Sequence, residues 1–291
     1  MRQYAVSKST NQNSPSRSSM LEISPVLRWA GSKKKLVPAI LSLAPVTYLR
    51  YLEPFVGSGC VFAALAPKRA VIGDINDELM FAYSTLRDYP HEVVKTIALF
   101  PTDSHTYYSL RAILPNSLGA VTRAARFVYL NRYCFNGVYR TNMSGMFNVP
   151  RGTRTGAMPS PETFFHFSDL LKRAKLIRGD FQELLATGRD GDFAYLDPPY
   201  VEPGTRFRGE YGYGSFGSDD EDRLISALRS AHSRGVSVVL SYHDGLAERL
   251  PDWRKVRQSV ARSVGGFGRS RKLVCEVLYT NVPKVQARGR Q

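Results

Sequence analysis

The sequence predicts an α/β protein with a doubly wound, mostly parallel sheet, and three observations support this fold class. Residues 48–56 are typical of a strand that breaks at Gly57-Ser58-Gly59, and a short helical stretch follows from Cys60. A second β-rich segment, residues 69–73, ends at Asp74. Strands and helices alternate again towards the end of the chain. A strand, a glycine turn, a helix and a second strand ending in an acid form the opening unit of nucleotide-binding sheets.

The stretch that follows is helical and then irregular. From residue 77 to about residue 135 the apolar residues follow a helical period, with Ala124, Phe127 and Leu130 among the core-facing positions. Residues 136–162 are rich in Gly, Asn, Thr, Pro and Arg and show neither helical nor strand periodicity. An irregular segment of this length inside a compact domain is usually functional or disordered.

Beyond this segment, the α/β alternation resumes. A helix is predicted to begin at Asp180, and another at a capping box formed by Ser218 and Glu221, with Leu224 and Leu228 on its apolar face. The apolar runs predict strands at residues 175–178, 193–196, 236–241, 254–260 and 273–280.

The chain is strongly basic, because 40 Lys and Arg residues oppose 25 Asp and Glu residues and give a formal net charge of +15. Such a charge attracts a polyanion through counterion release, and nucleic acid is the default candidate. A generally cationic, soluble surface is the alternative, and charge alone does not choose between the two.

The cysteine pattern and the hydropathy exclude several classes of protein. The three cysteines lie far apart without a C-x-x-C pair, which argues against a zinc site and a disulfide framework and suits a reducing cytosol. No apolar run approaches membrane-spanning length. The first twenty residues are rich in Ser, Asn and Gln and lack the apolar region of a secretory signal, so we expect a disordered tail there.

The most specific motif is Asp197-Pro198-Pro199-Tyr200, at the end of an apolar strand. Ligands of open α/β sheets bind at the carboxyl ends of strands. Two prolines remove two N–H donors and leave carbonyls that only accept hydrogen bonds. With the Asp197 carboxylate they offer two acceptors to a group that carries two N–H donors, which describes the amino group of adenine or cytosine. Tyr200 offers a flat face on which a base can stack. An ordinary Pro-rich turn is the bland alternative.

Two further motifs lie earlier in the chain. Residues 53–59 (EPFVGSG) are followed fifteen residues later by Asp74, whose carboxylate suits ribose hydroxyls. No third glycine completes a G-x-G-x-x-G pattern. A dinucleotide with a pyrophosphate is therefore a less favoured ligand, and a nucleoside without phosphates remains a candidate. Residues 28–33 (RWAGSK) precede the sheet. On their own they do not require a binding site, because a core Trp29 and a solvent-exposed Lys33 on a helix are a plausible explanation.

In combination these motifs resemble the Dam-type family of DNA adenine-N6 methyltransferases. That family orders a W-A-G-G-K segment, an E-P-F-x-G-x-G segment, a D-I-N, a recognition region and D-P-P-Y. The matching runs here are residues 29–33, 53–59, 74–76 and 197–200. The run LNRYCFNGVYRTN at 130–142, followed by FNVP at 147–150, resembles the recognition segment. The resemblance extends from about residue 25 to residue 282.

The resemblance implies a site-specific DNA adenine-N6 methyltransferase that transfers a methyl group from S-adenosylmethionine to an adenine flipped out of duplex DNA. It also implies a Rossmann-like methyltransferase sheet with an inserted, mostly helical DNA-recognition domain. The implied catalytic residues are Asp197, Pro198, Pro199 and Tyr200. The implied cofactor-binding residues are Trp29, Lys33, Phe55, Gly57, Gly59, Asp74, Asp180, Phe181 and Asp197. The implied DNA-binding residues are Arg28, Phe135, Asn136, Val138 and Arg140.

The implied domain organisation has a disordered tail at 1–20, a catalytic domain at 21–90 and 163–283, a target-recognition domain at 91–162 and a basic tail at 284–291. Residues 202–217, with Arg206 and Arg208, would close over the flipped base or track phosphate, although an ordinary mobile loop fits equally well. We expect double-stranded DNA as partner, no metal and no membrane, and a cytoplasmic, nucleoid-associated protein of a bacterial or phage-infected cell.

Departures from the family pattern concern target choice more than chemistry. Ser32 replaces a glycine, and the chain differs from the pattern G-E-F-N-V-P-F-G-R around residues 143–146 and 151–153. The DNA sequence that is methylated therefore stays open, and GATC or a close variant is the expectation for the family. Whether a cognate restriction endonuclease is a partner also stays open. The rival hypotheses are a catalytically inactive DNA-binding protein, an RNA adenine-N6 methyltransferase and a cytosine-N4 methyltransferase, the last disfavoured by Asp before Pro-Pro-Tyr.

Overall fold

The computed structural model describes residues 24–142, 144–200, 216–263 and 271–284. In this part of the chain seven strands form one sheet in the order β3-β2-β1-β4-β5-β7-β6. The first five run parallel to their neighbours, and β7 pairs antiparallel with both β5 and β6. The strands are β1 (Tyr51–Glu53), β2 (Ala70–Asp74), β3 (Ala174–Arg178), β4 (Phe193–Leu196), β5 (Ser237–Tyr242), β6 (Arg254–Ser263) and β7 (Arg271–Thr280).

Helices cover both faces of the sheet, because successive strand residues point to opposite sides. One core packs against the first seven helices, and the strand residues that face it include Tyr51, Phe193 and Tyr195. The other core packs against the last two helices, and the strand residues that face it include Leu52, Ala194 and Leu196. The helices are α1 (Val37–Leu43), α2 (Cys60–Leu65), α3 (Asp77–Asp88), α4 (Pro90–Ala98), α5 (Ser104–Ala112), α6 (Ala120–Tyr133), α7 (Pro161–Leu171), α8 (Phe181–Ala186) and α9 (Ser218–Ser233). The doubly wound sheet predicted from the sequence is confirmed.

The helical middle of the chain packs on the same face as α3 and α7. Helix α6 is buried over most of its length, and its Arg126 guanidinium is held by the Leu110 carbonyl oxygen, 2.6 Å from Nε. Between α6 and α7 the chain has two isolated bridges, Cys134 to Arg151 and Thr141 to Phe147, and short turns. The irregular segment predicted at 136–162 is therefore tied back to the end of α6.

Several boundaries differ from the sequence prediction, and two of them have a local cause in the structure. The strand expected over 48–56 is confined to β1, because Pro54 directly after it has no N–H to continue the ladder. The capping box expected from Ser218 and Glu221 is shifted by one residue. Gly217 is the N-cap of α9, and its N–H donates to Asp220 Oδ2 at 3.0 Å, while Glu221 instead accepts from Tyr242 and Arg249.

Some expectations fall on other parts of the chain. The tail expected at 1–20, all of the tail expected at 284–291 except Lys284, and residues 202–215 of the loop expected at 202–217 lie outside the described residues. Across the described ranges, no helix combines the length and apolarity needed to cross a membrane. Within the same ranges, His, Cys, Asp and Glu side chains do not form a group of three or more that could hold a metal ion.

Candidate active site

The motif residues converge at one edge of the sheet. Strands β1, β2 and β4 are parallel neighbours, so their carboxyl ends meet there and bring together Glu53, Asp74 and Asp197. Residue Val277 of β7 lies opposite Tyr242, the last residue of β5, so Glu276 reaches the same edge from the antiparallel strand.

Lys33 is the cationic centre of this edge, with a side chain only 6% exposed. Its Nζ lies 2.8 Å from Asp197 Oδ1 and 3.8 Å from Glu276 Oε2, and it donates to the Gly31 carbonyl oxygen at 3.1 Å. Burial alone would lower the pKa of Lys33, but the negative charges of Asp197 and Glu276 outweigh it and raise the pKa above its ordinary value. Lys33 is therefore a permanent ammonium, not the solvated surface lysine that the motif alone allowed.

Tyr200 completes this cluster. Its hydroxyl donates to Glu276 Oε2 at 2.7 Å, and its ring meets the Tyr242 ring edge-on, with centroids 5.3 Å apart and an interplanar angle of 84°. Lys33 Nζ lies 5.3 Å from the Tyr200 ring centroid. Burial, with the charges of Asp197 and Glu276, raises the pKa of Tyr200 well above its ordinary value, so the hydroxyl stays protonated.

The glycine turn after β1 wraps around Asp74. The Asp74 carboxylate accepts from the N–H groups of Gly57, at 3.1 Å, and Asn76, at 3.0 Å. Gly57 has φ +46°, and a Cβ there would lie 2.9 Å from the Trp29 ring. Gly59 also has a left-handed φ, +67°, which favours glycine. Burial raises the pKa of Asp74 to about 6, although the backbone hydrogen bonds act to lower it.

Aromatic rings line the space beside this turn. Phe55 stacks on Phe181 with centroids 5.3 Å apart and an interplanar angle of 25°, and Phe216 packs on both rings. Asp180 caps α8, accepting from the Gln182 N–H at 2.8 Å. The aromatic pair and the acid that the sequence singled out are thus neighbours.

Trp29 links the RWAGSK run to the segment that follows α6. Its ring stacks on Tyr139 with centroids 6.2 Å apart and an interplanar angle of 12°. The preceding residue, Arg28, donates from its guanidinium to the carbonyl oxygens of Arg132, at 3.1 Å, and Cys134, at 3.4 Å. Arg28 therefore holds the end of α6 in this structure.

The other residues predicted to contact DNA lie on the turn that follows α6. Phe135 is 46% exposed, Asn136 is exposed with φ +54°, and Val138 is half-buried. Arg140 donates from Nε to Asn148 Oδ1 at 2.8 Å, which orients its guanidinium. Gly137, in the same turn, lies directly against Arg28, so this turn and Arg28 are neighbours.

Sequence reasoning missed Glu276 and gave no role to Glu53. Both carboxylates are buried, and Glu53 accepts from the Tyr51 hydroxyl at 2.9 Å. Burial raises the pKa of Glu53 well above its ordinary range. A single acid between apolar residues of a strand, as in the run VCEVLY around Glu276, was the signal that could have found it.

Two of the three cysteines lie in the core, and Cys275 is exposed. Cys60 and Cys134 are buried core residues, and burial raises the pKa of both thiols, so neither is poised as a nucleophile.

Comparison with known proteins agrees with this geometry. Residues 29–264 match the family model described as D12 class N6 adenine-specific DNA methyltransferase. The chain is 33% identical over 273 residues to the Type II methyltransferase M1.LlaDCHI of Lactococcus lactis subsp. cremoris, covering 90% of this chain and 96% of that protein. It is 32% identical over 273 residues to the DNA adenine methylase of Vibrio cholerae serotype O1, covering 90% of this chain and 98% of the relative.

Among solved structures, TrmN from Thermus thermophilus aligns with a TM-score of 0.35 and 15% identity, covering 85% of this chain and 48% of that chain. The match to the family model spans β1 to β6 and includes Lys33, Asp74, Asp197 and Tyr200, whereas Glu276 lies beyond it. The family resemblance drawn from the sequence motifs is confirmed, and the chain belongs to the D12 class of N6 adenine-specific DNA methyltransferases.

Proposed function

We propose that this DNA methyltransferase takes its methyl group from S-adenosylmethionine and delivers it to the N6 atom of an adenine rotated out of duplex DNA, with Asp197, Pro198, Pro199 and Tyr200 as the catalytic segment. The observation that carries the proposal is the pairing of Asp197 with Lys33 beside Tyr200, at the same sheet edge as the Asp74 turn. An acceptor, a stacking ring and a nucleoside-sized turn thus lie together.

The residues around the glycine turn fit S-adenosylmethionine. Gly57 packs so closely on Trp29 that a Cβ would lie 2.9 Å from its ring, which holds the turn beside this side chain. Asp74 offers a half-buried carboxylate for the two ribose hydroxyls, and Phe55 with Phe181 offers a stacked apolar wall for the adenine ring. The Tyr195 hydroxyl, on the strand that leads to Asp197, is buried and has no hydrogen-bond partner within the described residues.

We assign the remaining cofactor contacts by their place in this site. Trp29, Lys33, Gly57, Gly59, Asp180 and Asp197 would surround the bound molecule with Phe55, Asp74 and Phe181. When bound, S-adenosylmethionine supplies an electrophilic methyl group on a sulfonium ion. Lys33 is a fixed cation that suits the carboxylate end of an amino acid.

The catalytic segment acts through acceptors. The Asp197 carboxylate and the Pro198 carbonyl oxygen accept the two N–H bonds of the target amino group, which turns its lone pair towards the methyl carbon. The same acceptors stabilise the positive charge that develops on nitrogen. Tyr200 stacks on the base and offsets part of the flipping cost, which is about a few kcal/mol. Alignment and electrostatics carry a direct displacement, and no cysteine takes part.

We propose residues 91–162 as the target-recognition unit and residues 21–90 with 163–283 as the catalytic unit. In support, α4 to α6 and the turns after α6 are inserted between α3 and α7 and contribute no strand to the sheet. Arg28, Phe135, Asn136, Val138 and Arg140 would contact duplex DNA on this side. GATC or a related sequence is the proposed target, and bacterial relatives named as Type II methyltransferases make a cognate restriction endonuclease a reasonable partner. We place the enzyme with the DNA in the cytoplasm.

The experiment that tests this function is modification-sensitive long-read sequencing of DNA from cells that express the protein in a host without adenine methylation. N6-methyladenine at one short sequence supports the proposal and identifies the target. In parallel, the protein is incubated with tritiated S-adenosylmethionine and one of three acceptors: duplex DNA, RNA, or duplex DNA in which cytosine is the only base with an exocyclic amino group at the target site. Label in RNA alone would favour the RNA rival, and no label in any acceptor would favour an inactive DNA-binding protein.

A further inference from the structure

Glu276 is a buried acid with no assigned task. It is 3% exposed and lies in β7 between apolar neighbours, on the strand that pairs with β5. Burying a carboxylate is costly unless it is paired and hydrogen-bonded, so its position in the core demands partners.

Its partners belong to the catalytic cluster. Glu276 Oε2 accepts from the Tyr200 hydroxyl at 2.7 Å and lies 3.4 Å from Ser241 Oγ and 3.8 Å from Lys33 Nζ. The carboxylate is fixed by the sheet, because Val277 is in register with Tyr242 at the end of β5. It thus connects the rigid sheet with the tyrosine at the end of the catalytic segment.

We propose that Glu276 is a positioning residue for methyl transfer, which holds the Tyr200 ring by its hydroxyl and shares the Lys33 ammonium with Asp197. The inference rests on the proposed function of residues 197–200. Glu276 touches neither the target base nor the methyl donor, and it acts through Tyr200 and Lys33.

The geometry gives two reasons for this role. The Tyr200 hydroxyl bond fixes where the stacking face stands, and a misplacement of about 1 Å in an active site can cost about 100-fold in rate. The second reason is charge. With Glu276 present, two carboxylates share one Lys33 ammonium, so Asp197 keeps negative charge for the target amino group. Without Glu276, Lys33 would have Asp197 as its principal carboxylate and would compete with the substrate for it.

The test is a double-mutant cycle between Glu276→Leu and Tyr200→Phe, with Glu276→Gln as the conservative variant. Methylation is measured with tritiated S-adenosylmethionine on genomic DNA from a strain without adenine methylation, per folded protein. Glu276→Leu is expected to lower kcat by about 10- to 100-fold, the usual effect of losing a hydrogen bond to a charged group. KM for S-adenosylmethionine should change by less than about threefold, because Glu276 pairs with only one proposed cofactor residue, Lys33, which keeps its shorter contact with Asp197.

Two further results define the mechanism. Glu276→Gln retains an oxygen that accepts from Tyr200, so it should recover part of the lost kcat. In the Tyr200→Phe background, Glu276→Leu should cost clearly less than it does alone, because the shared contact is already gone. Asp192→Asn is the matched control: Asp192 is also a buried carboxylate, paired with Arg50, but it lies at the opposite end of β4. It should lower stability and leave kcat unchanged.

A wild-type kcat in Glu276→Leu, or effects of the two substitutions that simply add, would overturn the inference. If Glu276→Leu does not fold, Tyr200→Phe alone tests the contact, because it removes the same hydrogen bond and keeps Glu276: it should lower kcat by about 10- to 100-fold, and a wild-type kcat would overturn the inference. Failure of the proposed function looks different, because then the wild-type protein itself transfers no label to DNA.

Discussion

Lys33 Nζ lies 2.8 Å from Asp197 Oδ1, which joins a residue ahead of the sheet to the proposed catalytic segment 164 positions later. The ion pair ties the RWAGSK run to the D-P-P-Y run. Asp197 is the more accessible partner, 21% exposed against 6% for Lys33, so its carboxylate still has a face open to a substrate.

Asp197→Ala is expected to abolish most methylation while leaving cofactor binding detectable. Losing one partner of the transition state typically costs about 10²–10³ in rate. Tritium transfer to DNA measures the rate, and titration calorimetry measures the affinity for S-adenosylmethionine. Near-normal turnover in this variant would remove Asp197 from the catalytic assignment.

The affinity for S-adenosylmethionine is expected to fall as the pH drops below about 6. Burial raises the pKa of Asp74 to about 6, and the ribose hydroxyls need the ionised carboxylate as their acceptor. Below that pH the affinity should fall by about tenfold per pH unit. Calorimetry between pH 5 and pH 8 measures it. Asp74→Asn is the control: it should bind weakly and show no pH dependence of this origin.

The raised pKa of Asp74 affects folding stability in the opposite direction: acid weakens cofactor binding but favours the folded state. The pKa of Asp74 is higher in the fold than its ordinary value of 3.8, so the folded protein disfavours the ionised form. The penalty is fully present above about pH 6 and is relieved as the pH falls through 6 towards 3.8. Loss of binding at pH 5 therefore does not reflect unfolding caused by Asp74. A thermal midpoint that falls together with affinity would contradict this account.

Gly57→Ala should destabilise the turn and weaken cofactor binding. Alanine at φ +46° costs about 1–2 kcal/mol, and its Cβ would also lie 2.9 Å from the Trp29 ring. Gly119→Ala is the matched control, since Gly119 has φ −63° and nothing within 4 Å of an added Cβ. Chemical denaturation and calorimetry compare the two variants. Equal effects at both positions would show that the Trp29 contact has no special weight.

Local sequence predicted the strands well where neighbouring residues decide them. Strand β4 covers residues 193–196 as expected, because this apolar run lies between Gly191-Asp192 and Asp197-Pro198-Pro199. Pro54 shortened β1 for the same kind of local reason. The Dam-like motifs predicted which residues gather at the sheet edge, because parallel strands end on the same side.

Contacts between distant residues could not be predicted in this way. Glu276 reaches Tyr200 because β7 inserts between β5 and β6, and no local pattern reports that order. Arg28 likewise bonds to carbonyl oxygens more than a hundred positions away, at the end of α6. The structural role of Arg28 in holding the end of α6 was therefore not visible in the sequence, and its contact with DNA stays a prediction.

Arg140 is expected to read a base edge. It follows the turn after α6, and its Nε bond to Asn148 orients the guanidinium as a planar fork. Arginine is suited to bidentate contact with guanine O6 and N7, which contributes about 1–3 kcal/mol of discrimination. A phosphate contact is the alternative, common for an arginine in a basic protein. Arg140→Ala should therefore relax the preference at one base pair, as measured by methylation profiles over randomised sites.

The phosphate alternative gives a different pattern for the same variant. A phosphate contact would weaken methylation of all sequences alike and flatten the salt dependence of binding by about one unit of slope. Asn148→Ala sharpens the comparison, because it keeps the charge of Arg140 and removes only its orienting bond. It should relax the same base position in part and leave the salt slope unchanged if the guanidinium reads a base. A uniform loss in Arg140→Ala, with site preference unchanged and Asn148→Ala silent, would assign Arg140 to phosphate.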